Sequence, residues 1–172
     1  SDGGKFMNLE AALDHAKRIV DEGADIIDVG GESTRPGADS VSLEEERKRV
    51  LPLIEQLVQQ IDVPVSIDTT KVAIAESAIE AGAVMINDIS SFRFEPEMAH
   101  LAAKHKVPVV LMHMRGTPRT MQHQVVYENP ITEIFAFLKE RIAYAESAGI
   151  DTQQIIIDPG FGFGKSLPDG NL

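Results

Sequence analysis

Five short apolar runs, each closing on a polar or polarisable residue, set the strongest limit on what this chain can fold into. They are Ile26-Ile27 leading to Asp28, Val65-Ser66-Ile67-Asp68, Val84-Met85-Ile86-Asn87, Val109-Val110-Leu111-Met112-His113 and Ile155-Ile156-Ile157-Asp158. Runs of this length suit buried strands of a parallel sheet, and segments with helical periodicity lie between them. The first such segment follows Asn8 as N-cap, with Leu9, Ala12, Leu13, Ala16, Ile19 and Val20 on one face and Gly23 as its stop, and a strand over 25–29 follows. A second helix opens at Ser42 with Glu45 as a capping-box partner; its stripe is Val50, Ile54, Leu57, Val58 and Ile61, and Pro52 is expected to bend it or remove a hydrogen bond. Further helices are predicted near 71–81, 96–105 and 130–148.

Strands alternating with helices mean a parallel sheet covered by helices, either doubly wound or a (β/α)8 barrel. Polar residues at the end of every strand, and no dinucleotide fingerprint after an early strand, favour the α/β barrel of TIM type. A full barrel needs ~250 residues, so the 172 residues here hold about five of eight units, read as one partial barrel domain over 1–172. Ser1-Asp2-Gly3-Gly4 reads as a loop with no strand before it, and Gly170-Asn171-Leu172 stops where a helix is expected. The segment is therefore expected to lack both ends.

Charge and composition narrow the function classes. With 16 Lys+Arg against 27 Asp+Glu, the net charge of −11 disfavours nucleic acid and anionic membrane surfaces as partners. No apolar run approaches the ~20 residues of a bilayer span. The absence of cysteine rules out disulfides and thiolate zinc sites within these residues and fits a cytoplasmic location. The five histidines have no spacing typical of zinc ligands.

Asp68, Asn87 and Asp158 form the sharpest candidate set. Singly, each could cap the helix that follows it. Together, carboxylate and amide groups converging from three strands suit a flat heterocycle with a donor-rich edge. Thr34-Arg35-Pro36-Gly37 supplies a hydroxyl and a guanidinium able to grip a phosphate or carboxylate, the alternative being a solvated surface loop. Asp28 would orient that loop from below. Gly160-Phe161-Gly162-Phe163-Gly164-Lys165-Ser166 is no Walker loop, because position 159 is Pro159. It reads as a tight strand-to-helix loop in which Phe161 or Phe163 flanks a ring or simply packs. Met112, before His113 and Met114, lies either against a ring face or in the core.

With these residues in order, the chain resembles the dihydropteroate synthase family, the pterin-binding barrels of folate biosynthesis and targets of sulfonamides. Asp28 through Gly37 resembles its second loop, and Ser66-Ile67-Asp68-Thr69, Ile86-Asn87-Asp88, Leu111 through Met114 and Asp158 through Lys165 resemble its later strand ends. The resemblance implies condensation of 7,8-dihydropterin-6-ylmethyl diphosphate with 4-aminobenzoate, giving 7,8-dihydropteroate and diphosphate, in a homodimer with Mg2+ assisting. It implies that Asp68, Asn87 and Asp158 hydrogen-bond the pterin, that Met112 lies against its ring, and that Thr34, Arg35 and Phe163 stand near diphosphate and aminobenzoate. Asp2 and Arg35 would be the catalytic pair. The family's Mg2+-holding Asn would precede Ser1, and its late-strand Lys, Arg and His would follow Leu172. Leu167 through Asn171 is one residue longer than the family's spacing. A methyltetrahydrofolate-dependent corrinoid methyltransferase shares such a barrel but is disfavoured by Ser33-Thr34-Arg35-Pro36-Gly37. A non-catalytic pterin-binding fragment is the third reading.

Overall fold

A computed structural model describes residues 9–35, 38–118, 120–121 and 127–165. The elements run α1 (Leu9–Asp21), β1 (Ile27–Gly30), α2 (Leu43–Gln60), β2 (Val65–Asp68), α3 (Val72–Glu80), β3 (Met85–Asp88), α4 (Glu97–His105), β4 (Val109–Met112), α5 (Pro130–Ser147) and β5 (Ile155–Asp158), with a 3-10 turn over Thr152–Gln154 before the last strand. All five strands are parallel and stand in sequence order, β1-β2-β3-β4-β5. A doubly wound sheet reverses order at a switch point. This one never does, so it is a five-unit arc of a (β/α)8-type barrel.

The predicted boundaries hold to within one or two residues. The first strand begins at Ile27 rather than at position 25 and ends at Gly30, and the third shifts forward to end on Asp88. Asn8, read as the first N-cap, lies outside the described residues. α2 runs unbroken through Pro52, which sits on the exposed face where water can replace the hydrogen bond its ring removes. Ser42 caps that helix by accepting from Glu45 N at 3.2 Å, but the Glu45 carboxylate turns to Arg49 Nε at 2.9 Å, so only half of the capping box forms. Its stripe also differs from the sequence reading. Val58 is exposed and Glu46, four residues before Val50, takes a core position. α4 ends at Lys106 in the left-handed conformation (φ 53°), a place with no glycine to announce it.

Register explains what each strand contributes. Side chains alternate between the two faces of a sheet, and the pairings Ile27↔Val65, Ile67↔Ile86, Ile86↔Val109 and Val109↔Ile155 put one apolar set on the helix side. With Val29 and Leu111 these residues join Val50, Ile54, Leu57, Ile74, Ala78, Met98 and Ala102 in the main core. The other face, which lines the inside of the arc, carries Asp28, Gly30, Ser66, Asp68, Met85, Asn87, Val110, Met112, Ile156 and Asp158. Polar residues on this face thus include Asp28, Ser66 and Asn87 within β1, β2 and β3 as well as Asp68 and Asp158 at the ends of β2 and β5.

Candidate active site

Three interior-face residues from three strands make one hydrogen-bonded unit. Asp28 Oδ1 accepts from the Ser66 hydroxyl, and Asp28 Oδ2 accepts from Asn87 Nδ2 at 2.9 Å. A carboxylate only accepts, so this contact orients the Asn87 amide and leaves its Oδ1 as an acceptor. Asp28 is therefore part of the site floor, where among the described residues its side-chain partners are Ser66 and Asn87 rather than the loop after β1.

Asp68 lies between them, paired in register with Gly30 on one side and Asn87 on the other. A side chain at position 30 would begin 3.2 Å from Asp68 Oδ2, so glycine there makes room for the carboxylate. Among the described residues no donor meets that carboxylate, and the helix-cap alternative fails. α3 has Lys71 as N-cap with no side-chain cap bond, and Val72 N donates to Glu95 Oε2 at 2.7 Å instead. Burial, then the charges of Asp28, Asp88, Glu46 and Glu32, push the Asp68 carboxyl up to about 7. Near neutral pH it can accept from a ring N–H or hold a proton.

Asp158 stands on the same face opposite Met112, and its Oδ1 accepts from Gly160 N at 2.7 Å. One oxygen thus shapes the turn after β5. Met112 is buried with Ile89, Met114 and Met121, and Phe163 packs on this cluster. Phe161 is 54% exposed, so of the two phenylalanines only Phe163 joins the wall. Thr34 is half-buried and Arg35 exposed on the loop after β1; the Arg35 guanidinium does not contact the carboxylate set. Asp2 lies outside the described residues.

Several residues escaped the sequence reading. Lys165, only 5% exposed, donates from Nζ to Gly160 O at 2.6 Å, Phe163 O at 3.2 Å, His113 O at 3.3 Å and His113 Nδ1 at 3.1 Å, closing the β5 loop on itself. Burial lowers its ammonium to about 8, opposed by the Asp158 charge. Burial and then the Lys165 charge push His113 down to about 4, so the ring is neutral and its Nδ1 accepts. The signal for Lys165 is the Gly164-Lys165 pair, which in sequence resembles the end of a Walker loop. Asp88 points to the helix side, where it accepts from Ser90 N at 2.8 Å and Phe92 N at 2.9 Å and holds Ser91 and Phe92 at positive φ. Buried Glu46 and the partly buried Lys71 and Glu32 form a further charged cluster behind the β1 loop.

Comparison with known proteins identifies the family. The pterin binding enzyme family model matches residues 1–171. A dihydropteroate synthase of Synechocystis sp. is 50% identical over 166 residues, 96% of this chain and 57% of that protein. The crystal structure of the Yersinia pestis dihydropteroate synthase with a sulfonamide drug complex superposes with a TM-score of 0.95 at 48% identity, covering 99% of this chain and 62% of that one. Xanthomonas albilineans dihydropteroate synthase with 4-aminobenzoic acid gives a TM-score of 0.89 at 50% identity, covering 99% and 60%. The chain thus spans about three fifths of the length of these relatives, and on the family match and the shared fold it belongs to the pterin binding enzyme family.

Proposed function

We propose that the protein containing this segment is a dihydropteroate synthase, condensing 7,8-dihydropterin-6-ylmethyl diphosphate with 4-aminobenzoate to give 7,8-dihydropteroate and diphosphate. The observation that carries this reading is the row of Asp28, Asp68, Asn87 and Asp158 on one sheet face, with an acceptor-rich floor and a Met112–Phe163 wall. A flat ring bearing N–H donors suits that floor, because a carboxylate pairs two parallel N–H groups as it pairs an Arg fork. The relatives named dihydropteroate synthase at about half identity support the same substrates.

In this reading Asp68 and Asp158 accept from the pterin, Asn87 bonds it through its oriented amide, and Met112 lies behind the ring. Thr34 and Arg35 serve the diphosphate and the aminobenzoate from the loop above, with Phe163 at the aminobenzoate side. Chemistry then consists of breaking the methylene C–O bond to diphosphate and forming the C–N bond, with the amine proton leaving. Positive charge develops on the pterin methylene as diphosphate departs, and stabilising that charge electrostatically is the role the family resemblance gives Asp2. Arg35 offsets the charge on the leaving group.

Magnesium belongs to the same proposal, with its principal protein ligand upstream of residue 1. Among the described residues no three His, Cys, Asp or Glu side chains group so as to hold a metal ion. The proposed homodimer rests on the family resemblance, and the proposed cytoplasmic location on the absence of cysteine in these residues. Among the described residues no helix is long and apolar enough to cross a membrane. The test is steady-state formation of dihydropteroate by the full-length protein with Mg2+ present. Turnover dependent on both substrates supports the assignment, and turnover at background overturns it.

A further inference from the structure

We propose that Lys71 is the positioning residue for the loop after β1, tying both of its feet to the barrel so that Thr34 and Arg35 stand over the pterin floor. This rests on the reading that the loop serves the diphosphate and the second substrate. The Lys71 ammonium has three N–H donors and meets three acceptors: the carboxylates of Glu32 and Glu46, and the Val41 carbonyl at 3.0 Å. Glu32 stands at the start of the loop, two residues before Thr34; Val41 stands at its end, just before the α2 cap Ser42. One point charge therefore closes the loop at its base, and holding the ends together reduces the conformational freedom of the residues between.

The clasp has a fixed side and a loop side. Glu46 is 1% exposed, lies on the core stripe of α2, and accepts from Thr69 Oγ1 at 2.7 Å, while Lys71 N donates to Thr69 Oγ1 at 3.2 Å. Lys71 is thus tied to α2 through Glu46 and to Thr69 just after β2, neither of which belongs to the loop. Glu32 is 31% exposed and is the loop's own contribution. Burial lowers the Lys71 pKa, but its bonds to Glu32 and Glu46 outweigh that and leave it raised, so the ammonium stays charged. Arg49 Nη1 adds a bond to Gly31 O at 3.0 Å on the same foot. Thr34 and Arg35 themselves take no part in these contacts, so the cluster can act on them only by placing the backbone that carries them.

The test uses the full-length protein with Glu32→Gln, Lys71→Met and the double variant. Three quantities are read: kcat/KM for 4-aminobenzoate, the Kd of a pterin by calorimetry, and hydrogen exchange at residues 33–35 and 38–40. Glu32→Gln removes a charged hydrogen bond and is expected to lower kcat/KM roughly tenfold, with pterin Kd within about threefold. Loop exchange should quicken while β2 and β3 stay protected. Lys71→Met is expected to cost up to about a hundredfold, and the double variant no more than Lys71→Met alone, since both act on one clasp. Because Lys71→Met leaves Glu46 buried without its cation, Glu32→Gln decides the matter if that variant does not fold. Unchanged exchange and kcat/KM in Glu32→Gln would overturn the proposal, as would multiplicative losses in the double variant or pterin affinity falling in step with turnover. An unmodified protein without condensation activity would instead overturn the synthase reading, leaving the exchange arm to test the clasp.

Discussion

Among single residues, Asp68 carries the most distinctive chemistry, an acid surrounded by acids on a half-buried face. Its carboxyl titrates at about 7, so the ionised fraction rises from roughly a tenth to roughly nine tenths between pH 6 and 8. If the carboxylate is the form that pairs with ring N–H groups, pterin affinity tightens across that window, and Asp68→Asn flattens the profile in calorimetric titrations at several pH values. Linkage gives a second expectation with a definite sign. Between the ordinary value of 3.8 and about 7 the folded chain holds a proton that the unfolded chain has lost, so this group's stabilisation is full below 3.8 and is lost as pH rises through about 7. Asp68→Asn should therefore raise the denaturation midpoint at pH 8 while weakening the pterin, with urea unfolding as the check. His113 behaves oppositely, its stabilisation present above its ordinary value of 6.5 and lost as pH falls toward about 4. The candidate acids were legible in the sequence because each ends an apolar run. Their partners were not, since Asp28 meets Asn87 only through strand pairing that spans 59 residues.

At the scale of elements, the loops after β1 and β5 are held in different ways. The β5 loop is packed around one ammonium and depends on glycine where backbones touch. A Cβ at Gly160 would stand 2.1 Å from His113 O, and φ there is +67°. Gly160→Ala is expected to destabilise the protein by at least ~2 kcal/mol, read by chemical denaturation. The β1 loop carries its functional groups outward, so Arg35→Ala should lower turnover more than tenfold while pterin Kd changes by less than about threefold, measured by steady-state kinetics and calorimetry on the same preparation. Helix and strand positions were readable from periodicity and turn residues. What stayed hidden was anything set by contact between elements: Glu46 looks like one more surface acid of Glu44-Glu45-Glu46 until α2 packs it toward Thr69 and Lys71, and Lys165 looks like a fragment of a phosphate motif until the turn folds around it.

Considered as a whole molecule, the chain is an arc of a barrel, and its ends bear on stability. Ile156 and Ile157 on β5 are 44% and 52% exposed, and Ile26 beside β1 is 41% exposed. Among the described residues β1 and β5 are each paired on one side only, so residues 1–172 produced alone are expected to leave backbone groups and apolar surface uncovered. Folding margins are ~5–15 kcal/mol, so the isolated segment should lack a cooperative thermal transition and be catalytically silent. Thermal unfolding followed by circular dichroism checks the first expectation and a dihydropteroate assay the second; a sharp transition with turnover would contradict both. The parallel order of the sheet followed from the alternation of elements, but membership of the interior face did not, because it is set by the register that aligns Asp28, Ser66 and Asn87 across three strands. That face is the central claim, and pterin affinity tests it most directly. Calorimetric titration of the full-length protein and its Asp68→Ala, Asn87→Ala and Asp158→Ala variants should give losses of roughly ten- to a hundredfold for each, at ~1.5–3 kcal/mol per bond to a charged group and somewhat less for the amide. Affinity unchanged in all three variants would contradict the assignment of this face to the pterin.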